Sequence, residues 1–256
     1  MENKLKRAVK SLPIIFVLVF AISGCGKVCI FSSEETSHPP NFYTLPIQTE
    51  DSTEAVTSPN VTENIPNSDS PTMTPEAKIP ADDDLVRVLD YIPTIYIDLK
   101  YATTDNFTGT VIYDFKDAYL RYGTVKKLFT VQEELSEQGY SLKIWDAYRP
   151  VSAQYKLWQV YPDPTYVANP NTGYSSHSKG NTVDVTLVFL DGSDVKMPSA
   201  FDDFSSYADR DYSDVSNDAS ENASLLEKIM ERNGFSGYSG EWWHYSDTTD
   251  YPIVDS

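Results

Sequence analysis

Between Val125 and Leu135 the apolar positions Val125, Leu128, Phe129, Val131 and Leu135 recur at the spacing of one helical face, and Gly139 supplies a stop. A second helical stretch runs over 222–232, with Leu225, Leu226, Ile229 and Met230 on one side and Gly234 just beyond its end. Pro150 is placed for the first turn of a helix that continues toward Trp158. Strand-like alternation marks Ile95–Tyr101 and Ser141–Asp146, and most clearly Thr182–Phe189, where β-branched residues dominate. Strands and helices in mixed order predict an α+β fold, a small and mostly antiparallel sheet with flanking helices. The domain is expected over 85–256, about 172 residues, a comfortable size for one core.

The pattern is different upstream. Basic residues at 4–10 precede the apolar run Leu12–Ile22, which is followed by Ser23, Gly24 and Cys25. This is the layout of a secretory signal. Eleven apolar residues are too few to cross a hydrocarbon core of about 30 Å as a helix. Ile22-Ser23-Gly24-Cys25 resembles a bacterial lipobox, so residues 1–25 are expected to be a lipoprotein signal, with Cys25 carrying the lipid anchor. That places the protein on the extracytoplasmic face of the cell membrane, held there only by lipid. Residues 26–84 lack a period of 2 or 3.6 and are rich in Ser, Thr, Pro and Glu, the composition of a disordered tether. As a flexible chain its 59 residues would average roughly 45 Å end to end. Cys29 and His38 fall in this stretch and carry no assigned role.

Charge sharpens this division. The chain has 256 residues and a formal net charge of −18, and residues 31–83 hold ten acidic side chains against Lys78 alone. A balance so negative excludes a nucleic-acid partner, which needs a basic surface. Two cysteines cannot form a four-cysteine zinc site or a disulfide framework. Only three histidines exist, so any metal site in the domain must recruit a carboxylate.

Two short motifs hold the candidate chemistry. In Ser175-Ser-His-Ser-Lys-Gly-Asn-Thr-Val-Asp184, His177 lies in a polar, glycine-containing turn and Asp184 on the strand that follows. Glu241-Trp-Trp-His-Tyr245 supplies His244. Two histidines and an aspartate form a three-ligand set with a position left for water, the arrangement of a catalytic zinc site, and Glu241 is the nearby carboxylate suited to proton transfer. Taken alone, His177 also fits a hydrogen-bonded surface turn, Asp184 a backbone cap, and the two tryptophans core or rim aromatics. Non-heme iron oxygenases use two His and a carboxylate too, but with the first His and the acid closer in sequence and no task for Glu241.

These motifs, with Leu99-Lys-Tyr-Ala-Thr-Thr-Asp-Asn-Phe-Thr-Gly109 and Trp145-Asp-Ala-Tyr-Arg-Pro150, resemble in order the zinc D-alanyl-D-alanine dipeptidase and carboxypeptidase family, in particular its VanX-type dipeptidase branch. The resemblance spans about 90–247. It implies one zinc ion per chain held by His177, Asp184 and His244, with Glu241 as general base and later acid. It implies Arg149 as the group that stabilises the developing oxyanion, besides any ion pair with Asp146, and Tyr101 and Ser175 as residues near the substrate. The implied substrate is the D-Ala-D-Ala dipeptide. The stretch from Arg149 to Ser175 is shorter than in that branch, which implies a more open mouth and room for stem peptides of the wall. A D,D-carboxypeptidase and a non-catalytic surface binding protein are the competing readings.

Overall fold

The structure, a computed structural model, describes residues 79–254. The signal sequence, Cys25, Cys29, His38 and the tether up to residue 78 lie outside the described residues. Among the described residues no helix is long and apolar enough to cross a membrane.

The chain enters through β1 (Leu85–Arg87) and β2 (Tyr96–Ile97), then forms β3 (Tyr119–Arg121) and runs directly into α1 (Tyr122–Ser136). Next come β4 (Tyr140–Asp146), α2 (Val151–Val160), β5 (Thr182–Phe189), α3 (Asn217–Arg232), β6 (Phe235–Tyr238) and β7 (Glu241–Asp247). Strands β1 and β3 form a small antiparallel ribbon. The other five make one sheet in the order β2-β4-β5-β7-β6, antiparallel except for the parallel pair β2–β4. The α+β expectation, with a mostly antiparallel sheet and flanking helices, therefore holds.

Helices α1 and α3 pack on the sheet and on each other. The apolar stripe read from the sequence is the stripe that is buried: Val125, Leu128, Val131 and Leu135 from α1 meet Leu226, Ile229 and Met230 from α3 in one core. Glycines Gly139 and Gly234 follow the two helices with φ of 85° and 86°, backbone that side chains with a Cβ avoid. Helix α3 begins five residues before the predicted start, because Ser216 caps it through the Ala219 N–H. Pro150 occupies the N-cap position of α2, one residue earlier than expected.

Two expectations are corrected. Ile95–Tyr101 alternates like a strand, yet only Tyr96–Ile97 pairs with β4; the chain then coils into a 3-10 turn over Lys100–Ala102. There the Tyr101 carbonyl accepts from the N–H groups of Ile112 and Tyr113, which draws it off the sheet. The tether was expected to reach residue 84, but its last residues belong to the domain. The Asp82 and Asp84 carbonyls accept from the N–H groups of Gly123 and Tyr122, and Lys126 pairs with the Asp82 carboxylate.

Candidate active site

Strand register sets the centre of the site. Asp184 on β5 lies directly opposite His244 on β7 and opposite Asp146 on β4, which places these three in a row across neighbouring strands. Simple alternation would give Asp146 the same face as Ile144. A bulge between Ile144 and Asp146 skips Trp145 and turns Asp146 onto the Asp184 face. Val183, Val185 and Leu187 point the other way, into the core.

His177 arrives from a turn. Ser176–Lys179 form a 3-10 turn closed by Gly180, whose φ is 74°. A Cβ on Gly180 would come within 2.7 Å of Leu85 Cδ2, so the turn needs glycine for both backbone and space. The His177 carbonyl accepts from the Arg149 N–H at 3.2 Å. Its Nδ1 lies 2.8 Å from the Ala147 carbonyl, and a carbonyl only accepts, so Nδ1 carries the proton and the Nε2 lone pair is free. Behind the turn, Arg121 donates to the Lys179 carbonyl.

The three side chains read from the motifs converge. His177 Nε2 is 3.3 Å from Asp184 Oδ2, and His244 Nδ1 is 3.0 Å from Asp184 Oδ1. One ligand atom from each lies within 4.8 Å of the others. Zinc bonds of 2.0–2.2 Å in a tetrahedron separate neighbouring ligand atoms by about 3.3–3.6 Å, near the 3.3 and 3.0 Å of the two His–Asp contacts. Asp184 Oδ1 is buried with no hydrogen-bond partner, since the His244 contact lacks hydrogen-bond geometry. A buried carboxylate with an imidazole nitrogen against each oxygen, and one of those oxygens left unsatisfied, fits a cation. Burial alone would raise the Asp184 carboxyl; the two imidazoles set against it, His177 first and then His244, hold it well below the usual carboxylate range. Glu241 stands beside this group, its Oε2 3.5 Å from His244 Nδ1, and is pushed up by burial and by the negative charge of Asp184.

Arg149 is buried and heavily engaged. Its Nη2 lies 2.5 Å from Asp146 Oδ2, its Nε reaches Tyr113 Oη and Asp146, and its Nη1 donates to Gln154 Oε1. The ion pair with Asp146 and a place in the cleft therefore coexist. Of the five N–H groups of a guanidinium, these contacts use one on each nitrogen, which leaves one on Nη1 and one on Nη2. The fully buried Asp146 takes donors from Arg149, Tyr113 Oη and the Ala147 N–H, so it fixes the orientation of the arginine. Tyr101 packs its ring 5.0 Å from the guanidinium.

Tyr101, Arg149, Ser175, His177, Asp184, Glu241 and His244 all line one cleft of about 280 Å³. The hydroxyl of Ser175 caps nothing in the turn it precedes. Trp242 and Trp243 are core residues, at 0% and 1% exposure. The cleft also contains a residue that sequence reasoning missed. Asp202 accepts from Tyr101 Oη at 2.9 Å, and burial together with the nearby Asp184 and Glu241 charges pushes its carboxyl up to about 8. The sequence carries no signal for it; in the structure it stands out as a non-glycine residue at φ 54°. At the mouth stand three exposed tyrosines, Tyr166, Tyr174 and Tyr238, the first two from the stretch between Arg149 and Ser175.

The family model described as D-ala-D-ala dipeptidase (Peptidase_M15) matches residues 81–255. Among curated proteins, a D-alanyl-D-alanine dipeptidase of Escherichia coli is 36% identical over 173 residues, 67% of this chain and 89% of that protein. Proteins of the same description from Enterococcus faecium and Enterococcus faecalis are each 36% identical, covering 58% and 62% of this chain and 83% and 88% of their own lengths.

Proposed function

The chain belongs to the D-Ala-D-Ala dipeptidase family, and we propose that its cleft hydrolyses the D-alanyl-D-alanine peptide bond with one zinc ion held by His177, Asp184 and His244. One observation carries this reading: the buried Asp184 carboxylate with an imidazole nitrogen against each oxygen and one oxygen unpartnered, and the Glu241 carboxylate alongside and outside the ligand group. When bound, zinc supplies a Lewis acid for the scissile carbonyl and lowers the pKa of water at the site. Glu241 takes the proton from the attacking water and returns it to the leaving amine; its raised pKa suits both duties. Arg149 lines the cleft with two uncommitted N–H groups available to the oxygen on which negative charge develops, and Asp146, Tyr113 and Gln154 hold the guanidinium in place. Burial and the nearby carboxylates raise the Asp202 carboxyl more than Arg149 lowers it, and the ammonium of a free dipeptide would supply the further positive charge that favours its ionised form. Hydrolysis of D-Ala-D-Ala by zinc-loaded protein, abolished by a chelator and restored by zinc, tests the reading. No turnover of the dipeptide by zinc-loaded protein would reject it.

The exposed tyrosines at the mouth favour a second reading, the trimming of wall stem peptides. Asp202 separates the two substrates, because only the free dipeptide brings an ammonium next to the scissile bond. Asp202→Asn is expected to raise KM for the dipeptide by on the order of 10²-fold, the effect of unpairing a buried charge, and to leave a pentapeptide unaffected. The same variant has a signature in the metal-free protein. A carboxyl at about 8 when folded and near 3.8 when unfolded makes the folded state bind the extra proton between those values. Stability of the metal-free native chain is thus fullest below the lower value and falls as pH rises through the upper one. Asp202→Asn should flatten that slope in thermal melts, and an unchanged slope would remove Asp202 as its source.

The lipobox supports a lipid anchor on Cys25 and an extracytoplasmic enzyme engaged in wall turnover or recovery of released dipeptide. Cys25→Ala is expected to shift the protein from the membrane to the soluble fraction, and protease applied to intact cells should remove the wild type. Retention of the variant in the membrane fraction would argue against the anchor.

A further inference from the structure

The strand that carries both Glu241 and His244 is paired with β5 on one side, but its ladder to β6 on the other side is broken. Strand β6 pairs with β7 in register as far as Gly237 opposite Tyr245, and then the register jumps so that Tyr238 lies opposite Glu241. Residues 242–244 of β7 fall inside that jump and have no partner residue in β6. Their backbone carbonyls still need donors. Arg210 supplies two of the three, those of Trp242 and His244. Its Nη2 donates to the carbonyls of Trp242 at 3.1 Å and His244 at 3.0 Å, and its Nε donates to the Tyr238 carbonyl at 2.8 Å. Nη1 donates to Tyr245 Oη at 3.1 Å and lies 3.4 Å from Glu227 on α3. The guanidinium thus spans both strands of the bulge and ties them to a helix of the core.

Gly237 makes room for this. Its φ is not in the left-handed region, so its backbone accepts any residue, but a Cβ there would run into the Arg210 guanidinium, whose Nε would be 2.7 Å away. The three atoms nearest to such a Cβ all belong to the arginine. The bulge matters because it sets the offset between Glu241, at the start of β7, and His244 three residues on, and the His244 carbonyl is itself one of the gripped groups.

We propose that Arg210 is a positioning residue for the active site, stapling the β6–β7 bulge so that Glu241 and His244 keep their relative placement. This rests on the functional reading above, in which one side chain moves the proton and the other holds zinc. It concerns neither ligand nor substrate contact, since Arg210 reaches the site only through backbone carbonyls. A planar fork with donors on three nitrogens can serve four acceptors at once, which lysine cannot.

The test uses the full chain and two variants that break the staple from opposite sides. Arg210→Met removes the donors; Gly237→Ala keeps them and displaces the guanidinium. Each is expected to weaken zinc affinity, measured by competition with a chelator, by about 10-fold or more, the usual cost of disturbing the support of a ligand. Each should also lower kcat at saturating zinc and substrate by about 10–100-fold with KM nearly unchanged, as a displaced catalytic group does. The double variant should be no worse than Arg210→Met alone, because the glycine serves only the arginine. Arg210→Lys should recover part of the loss. If Arg210→Met lowers the melting temperature while zinc affinity and kcat stay within about twofold of wild type, the residue is structural only and the proposal fails. Multiplicative losses in the double variant would also overturn it. Should Arg210→Met fail to fold, Gly237→Ala carries the same measurements. A wild type that binds no zinc would instead count against the functional reading.

Discussion

Glu241→Gln is expected to keep the metal and lose hydrolysis of D-Ala-D-Ala by about 10²–10⁴-fold, the span of general acid–base catalysis. The geometry separates the two consequences. The ligand group is His177, Asp184 and His244, and Glu241 stands 3.5 Å from His244 Nδ1 without belonging to it. Glutamine preserves the shape and the polar contact but cannot accept a proton from water. Its side chain is about one-third exposed toward the cleft, so neutralising it leaves no buried charge unpaired and should cost little stability. Removing a negative charge beside the ligand group should weaken zinc binding somewhat, but far less than the loss of a ligand would. Zinc content after dialysis and kcat on the dipeptide, measured on one preparation, decide the matter. Full activity would remove Glu241 as the base, and loss of zinc along with activity would make it a ligand.

How much of this was legible in the sequence depends on what each residue answers to. Helix α1 and strand β5 answer to a single face or a simple alternation, and periodicity found both. Strand β7 was not read as a strand, because Glu-Trp-Trp-His-Tyr mixes buried aromatics with site residues and has no period of 2. Its motif identified the chemistry without the element. The bulge at Trp145 was equally hidden: alternation gives Asp146 to the core, and only the pairing register turns it toward Asp184 and Arg149. Asp202 and Tyr113 could not be found at all, since each enters the site through a loop whose path is set by packing. Arg210 is the same case, with a role defined by carbonyls on two strands. Residue types that bind a metal announce themselves by spacing. Residues that hold those groups in place announce themselves only in three dimensions.

His244→Ala should lose the metal itself. Asp184 is opposite His244 in the β5–β7 register, so no other imidazole can take over that place without moving a strand. The scarcity noted in the sequence makes the loss final, because among the described residues His177 is the only histidine left. Two ligands, one of them a carboxylate, do not make a three-ligand site. The electrostatics change in the same direction. Asp184 is held low partly by the imidazole of His244 set against it, and without that ring its buried carboxyl takes up a proton more readily, which competes with a cation. Stability gives a readout independent of catalysis. A ligand at 100 times its dissociation constant stabilises the folded state by about 2.7 kcal/mol, so zinc should raise the melting temperature of the wild type by several degrees and leave that of His244→Ala unmoved. The His244 side chain is mostly buried but not fully, 16% exposed, so the metal-free variant should still fold. Zinc content near zero after dialysis, with a flat response of melting temperature to added zinc, is the expected pair of results. A variant that retains one equivalent of zinc with wild-type affinity would show that the centre is built from other residues.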